Sequence, residues 1–107
     1  MEISKKDWKL FRERISGWQE AYMQKLTEEY IALLSKNEDA SEKFWELDKR
    51  IKDDRRKPGV QLRLDKKSLD IDLVRLIQDE AITLDELDGF SEELKKRVKT
   101  LLQGFML

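Results

Sequence analysis

The chain has 107 residues, 42% of them charged, with 22 Lys and Arg against 23 Asp and Glu, and it contains neither cysteine nor histidine. That length supports one domain with a modest core, and the balanced charge provides no global field to recruit nucleic acid or a membrane surface. The missing residue types exclude disulfides, thiolate nucleophiles and histidine bases; with no export-signal pattern and no apolar run of about 18 residues, they place the chain in the cytoplasm.

The first element spans Ser4 to Lys36. At about 100° per residue, Trp8, Phe11, Ile15, Trp18, Tyr22, Leu26, Tyr30, Leu33 and Leu34 fall on one side, while Leu10 and Ile31 stray onto the polar side. Ser4 is placed to cap the helix, Asp7 suits the positive end of the macrodipole, and Ile3 and Trp8 stand at staple spacing. Asn37 marks the stop. The helix makes a rod of about 48 Å, longer than a compact chain of this size needs, so its apolar stripe predicts a partner surface at Trp8, Phe11 and Ile15.

A second helix is expected from Ala40 to Lys57, opened by a capping box of Asp39 and Glu42 and ended by Pro58 and Gly59. Its stripe of Phe44, Leu47 and Ile51, flanked by Trp45, predicts an antiparallel hairpin with the first helix. Val60 to Leu64 alternates apolar and polar, which reads as an extended connection or as an edge strand pairing with a second copy through Val60, Leu62 and Leu64. Ser68 then caps a third helix from Leu69 to Glu80, apolar around most of its circumference and therefore central. Thr83 and Glu86 form a capping box for a one-turn helix that stops near Gly89. From Ser91 a terminal helix buries Leu94, Val98, Leu101, Leu102 and Phe105, with Gly104 as its expected end. The apolar tail of Phe105, Met106 and Leu107 is expected to pack on the body or on a partner. The fold class is all-α, as one domain: a hairpin over residues 1–57, a connection over 58–67 and covering helices over 68–107.

Three segments carry a resemblance. Trp18, Gln19, Glu20, Ala21 and Tyr22, then Pro58, Gly59 and Val60, then Ile82 to Ser91 reading ITLDELDGFS resemble a group of small uncharacterised bacterial proteins found mainly in Firmicutes. The likeness covers most of the chain and assigns no activity to any residue. Some members of the group carry a multidrug transporter label, which does not suit a chain whose apolar stretches are all shorter than about 20 residues and interrupted by charge.

For chemistry the residues offer little. The later acids, among them Asp65, Asp70, Asp72, Asp79, Glu80, Asp85, Asp88, Glu92 and Glu93, lack calcium-loop spacing, and the serines have no histidine to activate them. No catalytic, metal or cofactor-binding residue is expected. The strongest charge feature is Lys49, Arg50, Lys52, Arg55, Arg56 and Lys57, continued by Arg63, Lys66 and Lys67. Interleaved with Asp53 and Asp54 and without an aromatic stacking platform, it reads first as a solvated helix end and second as a grip for nucleic acid phosphates. The functional expectation is therefore a non-enzymatic protein interaction module that forms a homodimer, its candidate interface including Phe105 and Met106. The rival reading is a nucleic-acid accessory protein using the basic run.

Overall fold

Helix α1 (Lys5–Leu34) runs 30 residues without a break, and the rest of the chain is arranged along it. The structure, a computed structural model, describes residues 1–106, with side chains as far as Gly104. These residues form four α-helices, α1, α2 (Ala40–Asp54), α3 (Leu69–Gln78) and α4 (Glu92–Met106), with 3-10 turns at Lys66–Ser68 and Leu84–Leu87 and no strand. The fold is all-α, as the periodicity implies, and it measures 51 × 32 × 21 Å.

The start of α1 is built as its residues predict. The Ser4 hydroxyl accepts from the Asp7 amide at 3.1 Å, and Ile3 is buried in the core with Trp8 packed on the same cluster. The helix stops at Leu34, where the Ser35 amide and hydroxyl both donate to the Ile31 carbonyl, at 3.0 and 2.7 Å. The expected capping box of α2 is absent, for the Asp39 side chain makes no cap bond. Lys43, one turn on, reaches back and donates to the Leu34 and Lys36 carbonyls at 3.1 and 3.3 Å, satisfying groups that the end of α1 leaves open. Helix α2 also ends at Asp54, short of the expected Lys57. The Arg56 and Lys57 amides bond three residues back, to Asp53 and Asp54, and Pro58 has no N–H to continue the ladder.

Val60 closes a turn, its amide bonded to the Lys57 carbonyl at 2.9 Å, and residues 61–65 form neither helix nor strand, so within this chain the segment is a connection. Leu62 packs on the core, Val60 is half-buried, and Leu64 remains 46% exposed. The next turn is capped by Asp65, whose carboxylate accepts from the Lys67 amide at 3.0 Å, and Ser68 makes no side-chain cap. Helix α3 is the centre of the molecule: Leu69, Leu73, Val74 and Leu76 are wholly buried, leaving Ile71 on its outer side. It finishes at Gln78, and the chain reverses through Glu80 at φ 61°, with the Ala81 amide bonded to the Leu76 carbonyl at 2.9 Å. That left-handed position usually belongs to glycine. The box of Thr83 and Glu86 is present on the second 3-10 turn. Helix α4 continues through Gly104 to Met106, so the expected stop at Gly104 is not used. The side chains of Phe105 and Met106, and Leu107 altogether, lie outside the described residues.

Sequence patterning suggests that the C-terminal helices cover the whole hairpin. They cover the first half of α1. Phe11 and Ile15 join Ile3, Leu69, Leu73, Val74, Leu76, Ile82, Leu87, Phe90, Leu94 and Val98 in one core, with Trp18 packed against its edge. Beyond Tyr22, α1 pairs with α2 alone as an antiparallel arm, tied to the end of α3 by the Lys25 to Glu80 ion pair at 3.8 Å.

Polar clasps fix this body to α1. The Asp7 carboxylate is 2% exposed and accepts from the Ser91 amide at 2.9 Å and the Ser91 hydroxyl at 2.6 Å, while that hydroxyl accepts from the Leu94 amide at 3.2 Å. One carboxylate near the start of α1 thus orients the cap of α4. One turn and more along, Arg14 donates to the Glu86 and Asp88 carbonyls at 3.1 and 2.5 Å and lies over the Phe90 ring at 5.3 Å. Gly89, at φ 93°, lets the loop approach so closely that a Cβ there would stand 2.8 Å from the Arg14 guanidinium. Replacing Asp7 by Ala leaves the Ser91 donors without an acceptor and is expected to lower stability by about 2–4 kcal/mol, with Asp7→Asn losing roughly half as much. Urea unfolding monitored by circular dichroism measures both.

Candidate protein interface on the helical arm

Of the residues expected to form an interface at the start of α1, Phe11 and Ile15 are taken into the core of this chain and Trp8 is half-buried. Phe11 is 0% and Ile15 5% exposed, both filled in by the body, and Trp8 is half-buried, stacked on Phe11 with ring centroids 5.9 Å apart. Trp18 lies edge-on to Phe11 at 6.2 Å and tilted over Phe90 at 6.4 Å, so two of the three tryptophans belong to the core and its rim. The third does not. Trp45 is 65% exposed and packs in a T-shape on Phe44, itself 62% exposed, at 5.0 Å.

The reason lies in the width of α2. Tyr30, Leu33, Leu26 and the α1 backbone leave room for one narrow seam, which Lys43, Leu47, Arg50 and Asp54 occupy. Phe44 and Ile51 sit at the margin of that seam and Trp45 lies about 100° round from Phe44, so the adjacent aromatic pair cannot turn inward together. Asp54 is the one buried residue of α2. On one face of the arm a groove of about 220 Å³ opens between the helices, lined by Met23, Leu26, Thr27 and Tyr30 from α1 and by Ile51, Asp54 and Arg55 from the end of α2, with Val60 at its base. Ile31 and Leu34, 65% and 45% exposed, extend the apolar surface toward the tip.

Charges set the angle of this arm. The Tyr30 hydroxyl donates to the Asp54 carboxylate at 2.5 Å, and the same carboxylate is paired with Lys57 at 3.3 Å and Arg50 at 3.8 Å. Burial, reinforced by the bond to Asp54, pushes the Tyr30 phenol up to about 12, so it stays a donor throughout the neutral range. Burial works to lower Lys57, but the Asp54 bond and neighbouring negative charge outweigh it and hold the ammonium raised. Arg50 also reaches Glu29 at 3.4 Å and lies over the Tyr30 ring at 5.4 Å. Of the basic run, Arg50, Lys52 and Lys57 are thus occupied within the chain, Lys52 by Asp48 at 2.8 Å. Lys49, Arg55, Arg56 and Arg63 make no ion pair among the described residues.

The segments that carry the family resemblance meet along α1. Gln19 donates to the Pro58 carbonyl at 2.9 Å, and Gly59 lies flat on the Tyr22 ring, where a Cβ would stand 2.5 Å from Cδ2. Trp18 touches Phe90, and Arg14 holds the loop around Gly89. Their work in this molecule is to hold the fold. Several of the acids are likewise accounted for: Asp70 is paired with Arg97 at 3.3 Å, Asp65 and Glu86 act as caps, and Glu92 is paired with Lys95 at 2.8 Å. Among the described residues, no three acidic side chains converge in a way that could hold a metal ion, and no helix is long and apolar enough to cross a membrane. Comparison of the chain with protein-family models, curated proteins and solved structures gives no match.

Asp72 is different, being 5% exposed with only Arg75, at 3.9 Å, beside it. Burial raises its pKa to about 6, against the opposing charge of Arg75 and with help from Asp65 and Asp70. The folded state therefore binds this proton more tightly than the unfolded chain, and the Asp72 contribution improves as pH falls through about 6 toward the ordinary carboxyl value of 3.8. Asp72→Asn is expected to raise stability at neutral pH by about 1–2 kcal/mol. The advantage over the parent should shrink as the pH is lowered to about 5, which unfolding midpoints across that range measure.

Proposed function

We propose that this chain is a non-enzymatic protein interaction module whose working surface is the α1–α2 arm. The observation that carries the reading is α2 itself, a 15-residue helix with four large apolar residues, Phe44, Trp45, Leu47 and Ile51, of which none is buried. A surface helix ordinarily buries an apolar stripe against its own domain, and a helix of this length is marginal without such packing. A contiguous exposed apolar patch on an otherwise charge-rich molecule is the usual mark of a protein contact. The module is placed in the cytoplasm, and the resemblance to small bacterial helical proteins belongs to the same proposal.

The rival reading, a nucleic-acid accessory protein, draws support from Lys49, Arg55, Arg56 and Arg63, members of the basic run that make no ion pair among the described residues. It is the weaker of the two because the rest of the run is neutralised within the arm and its nearest exposed aromatic, Trp45, is surrounded by both signs of charge.

A photo-crosslinking residue at the exposed position Ser41 tests the module in its native cell. The expected result is a crosslinked protein species that disappears when Phe44 and Trp45 are both replaced by Ser, in a variant whose helical content is unchanged. Crosslinks that persist in that variant, or none at all from the parent, would overturn the reading. The rival makes a separate forecast: binding to a DNA duplex that weakens steeply with salt and is abolished by charge reversal at Arg55 and Arg56.

A further inference from the structure

From the first turns of α1 and the connection that runs back along them, we propose that the helical body carries a second contact surface, a double row of cations that grips the phosphate backbone of a nucleic acid duplex. This surface is separate from the arm and goes beyond the reading of the arm as a protein contact.

Helix α1 opens with Lys5, Lys6, Lys9 and Arg12, and Asp7 is the one acid among residues 5–12. Around the helix, Arg12, Lys5 and Lys9 stand about 100°, 120° and 160° from the core-facing Phe11, so they form one exposed row. Asp7 lies about 40° from Phe11 in the other direction, where it is turned inward to Ser91.

The connection adds a second row. Gln19, on the same flank at about 80° from Phe11, holds the Pro58 carbonyl, and Lys66 shares a surface hollow with Ser4 and Lys5. Between those two points the chain passes back along the flank of α1. Leu62 packs inward on the core, while Arg63 and Lys67 are exposed. Asp65, the one acid of residues 61–68, is engaged at the Lys67 amide. Glu2 and Glu93 border the hollow, yet none of the six cations in the two rows makes an ion pair among the described residues.

Fold stability does not account for the helical row. Cations at the end of a helix complement its macrodipole, as the basic run does at the end of α2, but at the start of a helix they oppose it. Lys5 and Lys6 occupy the first turn of α1, and no ion pair offsets them. Charge placed where the fold disfavours it, and left unpaired, is available to an outside anion.

The partner follows from the spacing of the row and from what the row lacks. Lys5 to Arg12 rises about 10 Å, a length over which one strand of a duplex presents about three phosphates to these three cations. Positions 5, 9, 12 and 16 are Lys, Lys, Arg and Ser, with no apolar side chain to enter a bilayer. Trp8, beside the row, is half-buried against Phe11 with the Arg12 guanidinium over its ring at 5.9 Å, so no open aromatic anchor is offered to a folded protein. Contacts of this kind hold the backbone without reading the bases.

Fluorescence anisotropy of labelled DNA and RNA duplexes of about 20 base pairs, titrated with the full chain, tests this. Binding in the micromolar range at about 50 mM salt is expected, with the log of the affinity for DNA falling against log salt at a slope of about −5 for six neutralised phosphates. Lys5→Glu with Lys9→Glu should weaken binding at least about ten-fold and make the slope shallower by about 2. The same pair places acids near the start of α1, so its thermal unfolding midpoint should not fall, a combination that a merely structural role would not give. Arg63→Glu with Lys67→Glu, in the second row, should also cost about ten-fold. Arg55→Glu with Arg56→Glu, at the far end of the connection, should cost less than about three-fold. No binding to either duplex at about 20 mM salt, or binding that survives both row reversals, overturns the proposal. Binding lost only on reversal of Arg55 and Arg56 overturns it in favour of the basic run of α2. Vesicles containing phosphatidylserine and polyglutamate cover the other anions: a chain that binds either of them and neither duplex refutes nucleic acid as the partner. Crosslinking from Ser41 reads the arm and anisotropy reads the body, so failure of one reading leaves the other standing.

Discussion

The carboxylate of Asp7 is the point on which the tertiary arrangement turns. Among the described residues, 7 and 91 are the hydrogen-bonded side-chain partners most widely separated in sequence, and their bonds align the first turns of α1 and α4 on each other. A buried anion accepting two donors in a site of 2% exposure is strongly directional, because any tilt leaves charge desolvated and unpaired. With α4 set in this way, the Arg14 clamp can seat the preceding loop, and Phe90 is pressed between the guanidinium and Trp18. The apolar core then supplies the bulk of the stabilisation, and the polar clasps select the one arrangement in which it can form.

Charge performs several distinct jobs in a chain that is 42% ionisable by composition. Some of it caps, as with Asp65 and Glu86. Some of it stands in for hydrophobic packing, as at the base of the arm, where Tyr30, Asp54, Arg50 and Lys57 meet in the space where other hairpins would place leucines. The remainder is left on the surface, where both signs are interspersed along the arm. Asp72 is the exception, a buried carboxylate with only a distant partner, its pKa raised by burial.

Much of the architecture could be read from residue order, and the misreadings have physical causes. The span of α1, the breaker at Pro58, the buried α3 and the box of Thr83 and Glu86 depend on local periodicity or local bonds, which a sequence displays. Asp39 looks like a cap, but its side chain bonds no amide of α2, and the polar contact at this corner is instead Lys43 donating to the open carbonyls at the end of α1. Gly104 looks like a stop, yet a glycine at an exposed helical position costs only about 1 kcal/mol, less than the continuing turns return. The larger difference concerns which apolar residues stay exposed. A stripe along α1 shows that Trp8, Phe11 and Ile15 need covering, without showing what covers them, and the cover came from Ser91, Leu94 and Phe90, more than seventy residues away. The exposed end was legible in one detail: Phe44 and Trp45 are neighbours on a helix, and two adjacent aromatics cannot share a single narrow seam. Arg14 left no sign at all, since an arginine on the polar side of a helix looks the same whether it is solvated or clamped to a loop.

Holding two helices together through a carboxylate, a phenol, a guanidinium and an ammonium has a consequence for recognition. Directional bonds keep the walls of the cleft apart at a set distance, where a greasy joint would have collapsed the walls onto each other. Under the interaction reading proposed above, a partner would meet walls already held in place, so less freedom would be lost at docking and a modest contact area could still give a long-lived complex.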